Sequence, residues 1–289
     1  MKGAGYPATA MLTHAGPGRQ RLLWILLGGV SLAIAAALWW ARRPSPDSEL
    51  TPIAGLTALH REVDCGSIER SRLLVLLVLG QSNAANHGQT RAGPAAGVFG
   101  FHEGRCFEAA DPLPGASGDG GSVWTRLAPQ LLQPGQVDAV LLVPLAVNST
   151  SIEQWNRHPV LLGGLQRLLG QLNNSGFRVS KVLWHQGEAE SFKDTSGEAY
   201  REGFTRWLER LRGLGVDAPV WVARATRCQT RGNAAVSAVQ AELPGQLAGV
   251  RAGPELDRLF DTHHRYDGCH FSSAGLTAAA QAWRAAIAD

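Results

Sequence analysis

The sequence predicts an α/β fold, a three-layer α/β/α sandwich in which a mostly parallel sheet lies between helices. Two observations predict it. Short apolar runs alternate along the chain with amphipathic stretches of helical spacing. The runs are also apolar throughout, which is typical of strands buried on both faces. Alternation of this kind indicates a mostly parallel sheet with helices on each face.

Four apolar runs are the candidate strands. The first, Leu73–Leu79, is unbroken and stops at Gly80, and the others lie at 137–147, 179–184 and 219–225. The carboxyl ends of parallel strands meet at one edge of a sheet, where the sites of such folds gather. We therefore expect the residues that follow these runs to lie near one another.

Stretches with apolar residues at helical spacing predict four helices. They lie at 161–172, 200–211, 233–243 and 273–288. A capping-box pattern, Thr195-x-x-Glu198, precedes the second of them. The Gly-rich stretch 111–124 lacks the lysine and helix context of a phosphate-binding loop, and we expect it to be a surface loop.

The N-terminal part of the chain predicts a membrane anchor. Residues 22–41 contain no charged residue, and a helix of 20 residues spans a bilayer core. An uncleaved signal anchor is favoured over a cleaved signal peptide, because the apolar region of a signal peptide is usually only about 7–15 residues long. The expected organisation has four parts. These are a short cytoplasmic segment 1–21, the transmembrane anchor 22–41, a tether 42–70 and a folded domain 71–289.

Charge sets two further expectations. Lys2, Arg19 and Arg21 precede the anchor and two arginines follow it, which slightly favours a cytoplasmic N-terminus and a periplasmic or extracellular domain. The chain has a net charge of +3, but residues 44–289 hold 22 Lys and Arg against 24 Asp and Glu, a net charge of −2. A domain without a basic stripe gives little support for nucleic-acid binding, so no nucleic-acid partner is expected.

All four cysteines follow the predicted anchor. An even number of cysteines in an oxidising compartment favours two disulfides, and their spacing does not form the CxxC pairs of a zinc site. Sequence alone does not decide among the three possible connectivities. The pairing that we choose is Cys65 with Cys106 and Cys228 with Cys269. Four reduced, buried thiols are the alternative.

Three polar blocks follow or flank these elements. Ser82 comes two residues after Gly80, at the edge where a buried strand ends, and Gln186-Gly187-Glu188 follows the third run. Asp267 and His270 precede the last predicted helix, at a spacing that lets the carboxylate fix the imidazole tautomer. Serine is a weak nucleophile without such a base. Each block by itself could be a polar turn.

Together, the blocks occur in the order of a known family. Gly80-Gln81-Ser82-Asn83, Gln186-Gly187-Glu188 and Asp267-x-x-His270 resemble the nucleophile, Gln-Gly-Glu and Asp-x-x-His blocks of SGNH hydrolases, specifically the sialate O-acetylesterase-like carbohydrate esterases. The resemblance covers most of residues 73–286 and implies the flavodoxin-like sheet of that superfamily. It also implies Ser82 as the nucleophile, His270 as the base and Asp267 as the orienting acid. Glu188 is an alternative orienting acid.

One block departs from the family pattern. Where the family usually has a Gly-Gly-Thr-Ser-like turn, this chain has Asn148-Ser149-Thr150-Ser151. Glycine there lets the backbone donate its N–H to an oxyanion. The implied oxyanion donors are the Ser82 N–H, an N–H of Asn148 or Ser149, and the Gln186 side-chain amide, with Asn83 beside them.

The resemblance implies removal of O-acetyl groups from a carbohydrate, with no metal and no cofactor required. Two alternatives remain: an O-acetyltransferase of an envelope polysaccharide, and a catalytically silent polysaccharide-binding protein. The expected partners are an acetylated carbohydrate and, through the anchor, a membrane. Trp124 and Trp155 are candidates for stacking on sugar, with core packing as the alternative for both.

Overall fold

The structure is a computed structural model that describes Met1 and residues 59–288. The chain divides into two compact units, Met1–Pro44 and Ser45–Asp289, and residues 59–288 belong to the second. Apart from Met1, the predicted cytoplasmic segment, the predicted anchor 22–41 and the first part of the predicted tether lie outside the described residues. In the part of the chain that is described, no helix combines the length and apolar character needed to cross a membrane.

An eight-stranded sheet forms the centre of the described part of the domain. Its strands are β1 Glu62–Val63, β2 Leu73–Gly80, β3 Val98–His102, β4 Arg105–Glu108, β5 Ala139–Ala146, β6 Lys181–His185, β7 Val220–Arg224 and β8 Val250–Glu255. The strand order is β1-β4-β3-β5-β2-β6-β7-β8. The pairs β1–β4 and β3–β4 are antiparallel, and the other five pairs are parallel. The predicted, mostly parallel sheet is confirmed.

Strand β2 lies at the centre because it is apolar enough to be covered on both faces. It pairs with β5 on one side and β6 on the other, and Gly80 is the partner of both Ala146 and His185. A Cβ on Gly80, whose φ is +148°, would lie 2.0 Å from the His185 carbonyl oxygen. Glycine therefore allows the close approach of β2 and β6 at the edge where the polar blocks begin.

Helices cover both faces of the sheet. They are α1 Trp124–Leu131, α2 Ile152–Arg157, α3 Pro159–Asn174, α4 Glu188–Phe192, α5 Gly197–Gly213, α6 Ala234–Gln246 and α7 Ser273–Ile287. Apolar residues of α2, α3, α5 and α6 join one core cluster, and those of α1 and α7 join the other. The amphipathic stripes are thus core, as the sequence indicated.

The four predicted strands and four predicted helices are all present, with small shifts at their ends. The predicted cap of α5 is wrong by one residue. The Ser196 side chain accepts from the Ala199 N–H and caps the helix, whereas the Thr195 hydroxyl donates to Glu190 at 2.6 Å. The shift follows from the buried Glu190 carboxylate, which needs donors.

The Gly-rich stretch 111–124 is largely buried, so the prediction of a surface loop is wrong. The buried side chain of Asn86 satisfies part of its backbone, accepting from the Leu113 N–H at 2.8 Å and donating to the Leu113 carbonyl at 2.9 Å. The carboxylate of Asp111 accepts from the Ala92 N–H and the Thr125 hydroxyl, each at 2.9 Å. These hydrogen bonds satisfy polar groups of an irregular segment that is largely buried.

Trp124 and Trp155 belong to the core rather than to a sugar-binding surface. Both are fully buried. The indole N–H of Trp124 donates to the Ala84 carbonyl at 2.6 Å, and that of Trp155 donates to the Thr150 hydroxyl at 3.1 Å. Of the two alternatives for these residues, core packing is therefore confirmed.

Both predicted disulfides are present. Cys65 pairs with Cys106, and Cys228 pairs with Cys269. The first connects the segment after β1 to β4, so residues from Glu62 onwards, which lie within the predicted tether, are part of the folded domain. The second links Cys228, in the segment between β7 and α6, to Cys269, the residue before His270.

Removing the first disulfide tests how firmly the N-terminal edge is held. The double substitution Cys65→Ser/Cys106→Ser should lower the free energy of unfolding by about 3 kcal/mol, since it opens a long loop in the unfolded chain. Urea unfolding of the variant and the parent measures the difference. A loss below about 1 kcal/mol would mean that β1 and β4 hold this edge without the covalent link.

Candidate active site

Ser82 lies directly beyond the carboxyl end of the central strand. It begins a single 3-10 turn, Ser82–Ala84, and is only 2% exposed. The side chain of Gln81, the residue before this turn, is bound to the Gln186 block. Its Oε1 accepts from the backbone N–H groups of Gly187 and Ala189 at 3.2 and 3.1 Å. The first two predicted polar blocks are thus held against each other.

Asp267 holds His270 in one orientation. Asp267 Oδ1 accepts from the backbone N–H of Cys269 at 2.8 Å and of His270 at 2.7 Å, and Oδ2 lies 2.6 Å from His270 Nδ1. With Nδ1 donating to the carboxylate, Nε2 is the nitrogen left to accept a proton. Partial burial raises the pKa of Asp267, but the hydrogen bonds and charge of His270 outweigh it and the pKa is lowered.

Asn83 connects the serine turn to the histidine loop. Its side-chain amide donates to the carbonyl of Cys269 at 3.2 Å, so the residue after Ser82 contacts the residue before His270. The two segments also run side by side further on, where the backbone N–H of Gln89 donates to the Phe271 carbonyl at 2.9 Å. The structure therefore brings the first and third polar blocks together.

His87 is a site residue that the sequence reasoning missed. Its ring stacks on His270 with the centroids 5.3 Å apart and the planes 26° apart, and its Nε2 lies 3.2 Å from the Ser117 hydroxyl. Burial and the neighbouring His270 lower the pKa of His87 to about 4. The ring is therefore neutral near pH 7 and supports the face of His270 without adding a charge. No sequence pattern distinguishes this histidine.

Glu188 is a buried anion with partners other than His270. Its Oε1 accepts from the Asn83 amide at 2.7 Å and lies 3.3 Å from His185 Nε2. Burial raises the pKa of Glu188, but His185, Asn83 and the charge of Arg265 outweigh it and the pKa is lowered. Glu188 therefore holds Asn83 in place, and the carboxylate hydrogen-bonded to His270 is that of Asp267.

Gln186 lies at the site, and its side-chain amide is hydrogen-bonded within the protein. Its Nε2 donates to Glu190 Oε1 at 2.6 Å and to the Thr150 carbonyl at 3.1 Å, which uses both hydrogens. The reversed amide would place its oxygen against the Glu190 carboxylate, so this orientation is the favourable one. This geometry does not support the expected role of the Gln186 amide as an oxyanion donor. Gln186 instead holds the turn after β5.

That turn keeps a glycine-like shape without glycine. Ser149 has a φ of +59°, in the left-handed region that a Gly-Gly-Thr-Ser-like turn reaches easily. The backbone N–H of Asn148 donates to the Ser117 hydroxyl at 2.9 Å. Of the two implied donors in this turn, the Ser149 N–H is therefore the better candidate. The Thr150 hydroxyl closes the turn by donating to the Val147 carbonyl at 2.7 Å.

A serine beyond the carboxyl end of the central parallel strand, and a hydrogen-bonded His–Asp pair on a loop that Asn83 connects to the serine turn, are groups of the kind that serine hydrolases use. Comparison with known families gives the narrower class. Residues 72–288 match the family described as carbohydrate esterase, sialic acid-specific acetylesterase, and the chain belongs to this family.

Individual relatives are more distant. The chain is 30% identical over 71 residues to the probable carbohydrate esterase At4g34215 of Arabidopsis thaliana, a match that spans about a quarter of either chain. The crystal structure of Arabidopsis thaliana protein AT4G34215 superposes with a TM-score of 0.57 at 19% identity, covering 75% of this chain and 98% of that one. A putative GDSL-like lipase from Parabacteroides merdae gives a TM-score of 0.49 at 12% identity, covering 76% and 98%. At 19% identity, the superposition on the Arabidopsis thaliana structure shows that the two chains share a fold.

The left-handed backbone at Ser149 predicts an unusual response to glycine. Ser149→Gly should raise the free energy of unfolding by up to about 1 kcal/mol. Glycine removes the steric strain of the left-handed backbone, and this gain exceeds the loss of stability that comes from a more flexible unfolded chain. Chemical denaturation of the variant and the parent measures it.

Ser151 supplies the matched control two residues later. It has a φ of −91° and caps α2 by accepting from the Gln154 N–H. Ser151→Gly should lower stability by a few tenths of a kcal/mol or more. If both variants lose stability alike, Ser149 is not strained.

Proposed function

We propose that this domain is a serine esterase that removes O-acetyl groups from a carbohydrate through an acyl-enzyme on Ser82. The observation that carries the proposal is the 2.6 Å contact of His270 Nδ1 with Asp267, on a loop that Asn83 connects to the serine turn. Membership of a carbohydrate acetylesterase family supports the same chemistry.

The first half of the proposed reaction acylates the enzyme. His270 Nε2 takes the Ser82 hydroxyl proton as Oγ attacks the acetyl carbonyl carbon. The tetrahedral intermediate collapses by breaking the bond to the sugar oxygen, which leaves with the proton from His270. Asp267 keeps Nδ1 protonated and stabilises the imidazolium that forms between these steps.

The second half restores the enzyme. Water loses a proton to His270, attacks the acetyl group on Ser82, and the proton returns to Ser82 Oγ as acetate leaves. Backbone N–H groups of Ser82 and Ser149 are the proposed oxyanion donors, and removing one donor costs about 100- to 1000-fold in rate. Ser149 has the left-handed backbone that glycine adopts easily in such a turn, with a φ of +59°. This favours a catalytic role over that of a silent binding protein.

The location of the enzyme is part of the proposal. Residues 22–41 are apolar enough to anchor it in a membrane, and disulfides such as Cys228–Cys269 persist in oxidising compartments. We infer a domain held at the outer side of a membrane, where acetylated envelope or extracellular glycans are the accessible substrates.

Loss of the nucleophile tests the proposal. The full chain should hydrolyse p-nitrophenyl acetate and release acetate from at least one of O-acetylated sialic acid, acetylated peptidoglycan fragments and acetylated xylan. Ser82→Ala should abolish both reactions while the melting temperature stays close to that of the parent. Undiminished hydrolysis by Ser82→Ala would remove Ser82 from the reaction. Transfer of acetyl to added oligosaccharide in place of acetate release would identify a transferase.

A second pair of variants distinguishes the two acids. Asp267→Asn should lower kcat by roughly 10,000-fold at near-normal KM, because the imidazole tautomer is no longer fixed. Glu188→Gln, the matched control, removes a buried charge held by Asn83 and His185, so its main effect should be on thermal stability. If Glu188→Gln lost more kcat than Asp267→Asn in fully folded protein, Glu188 would be the orienting acid.

A further inference from the structure

Aromatic residues that remain exposed in the domain are few. Within residues 59–288, the Phe, Tyr and Trp side chains with large exposure are Phe192, at 46%, and Tyr266, at 47%. An exposed aromatic ring that is held in a fixed orientation offers a flat apolar face to a ligand. The two rings differ in this respect.

Tyr266 is fixed at the edge of the catalytic loop. Its backbone N–H donates to the carbonyl of His270 at 3.0 Å, and its hydroxyl donates to the carbonyl of His87 at 3.4 Å. Its ring centroid lies 6.4 Å from that of His270, with the planes 34° apart. The three rings of His87, His270 and Tyr266 therefore adjoin, with the tyrosine as the exposed member.

Phe192 has no such relation to the base. It ends the short helix α4, and the guanidinium of Arg231 lies over its ring, 5.5 Å from the centroid. One of its faces is therefore occupied by a cation from its own chain. Phe192 serves as a control with equal exposure.

The position of Tyr266 suits a sugar ring. When an acetyl carbonyl is at Ser82 and the leaving oxygen is beside His270, the rest of the sugar extends outward past the base. A pyranose presents apolar C–H faces between its hydroxyl groups, and an aromatic face with a polar rim complements such a surface. Burial and the charges of Asp267 and Asp119 raise the pKa of Tyr266, which favours the neutral phenol that donates to the His87 carbonyl.

We propose that Tyr266 is the stacking platform for the pyranose ring that carries the acetyl group, and that it gives the enzyme its preference for sugar esters over simple esters. The proposal rests on the proposed esterase function. It assigns Tyr266 a role in substrate binding, and the proton transfers stay with His270.

The test compares a sugar ester with an ester that has no ring. Hydrolysis of the three acetylated glycans and of ethyl acetate is followed by acetate release, because p-nitrophenyl acetate has an aromatic group that would itself stack. In Tyr266→Ala, the ratio of kcat/KM for the best glycan to kcat/KM for ethyl acetate should fall about tenfold, mainly through KM. Tyr266→Phe keeps the ring and should hold the ratio within about twofold of the parent, as should Phe192→Ala.

Two results would overturn the proposal. One is an unchanged ratio in Tyr266→Ala, which would mean that the ring only supports the loop. The other is an equal fall of the ratio in Phe192→Ala, which would mean a general effect of surface aromatics. If Tyr266→Ala does not fold, Tyr266→Leu replaces it, keeping apolar volume without an aromatic face, and the same fall is expected.

Binding without turnover separates this proposal from the esterase function. In a Ser82→Ala background, saturation-transfer NMR should show the glycan ring protons in contact with the protein, and this contact should weaken when Tyr266→Ala is added. A parent that hydrolyses the glycan while binding is insensitive to Tyr266 contradicts this proposal alone. A parent that neither hydrolyses nor binds any of the three glycans contradicts both.

Discussion

The site depends on the register of three parallel strands. Because Gly80 pairs with both Ala146 and His185, the strands β5, β2 and β6 end at the same level of the sheet. The chain leaves each of these ends with a polar segment, so Ser82, the turn at Ser149 and the Gln186 block meet at one edge. A slip of one residue in either pairing would move one of them away and reverse the faces of the whole strand.

Buried polar groups then fix these three segments against one another. Glu188 holds the Asn83 amide, and Glu190 holds the Gln186 amide and the backbone N–H of Ile152 at 2.7 Å. Buried carboxylates are costly unless their oxygens receive donors, so each also demands a fixed arrangement of its neighbours. The histidine loop joins the same network through the Cys269 carbonyl, which accepts from Asn83 and Arg265.

Sequence periodicity predicted the central elements well and the edge elements poorly. Strands such as β2 are apolar over their full length because they are buried on both faces, and this leaves a clear pattern. Strands β3, β4 and β8 contain charged or glycine residues and gave no such signal. The sequence predicts a surface loop at 111–124, whereas this segment is largely buried, because its backbone is satisfied by distant side chains such as Asn86 that no local pattern reveals. His87 and His270 are also distant in sequence, so their contact could be seen only in the structure. Asp267 and His270 are three residues apart, and that spacing alone predicts their contact.

The central claim is that an acetyl group passes through Ser82. Rapid quenching of the full chain during turnover of p-nitrophenyl acetate, followed by peptide mass spectrometry, tests it most directly. The account predicts one added acetyl group on the peptide that contains Ser82, and no such adduct in Ser82→Ala. Steady acetate release with no acetylated Ser82 at any quench time, or with the acetyl group on another residue, would contradict it.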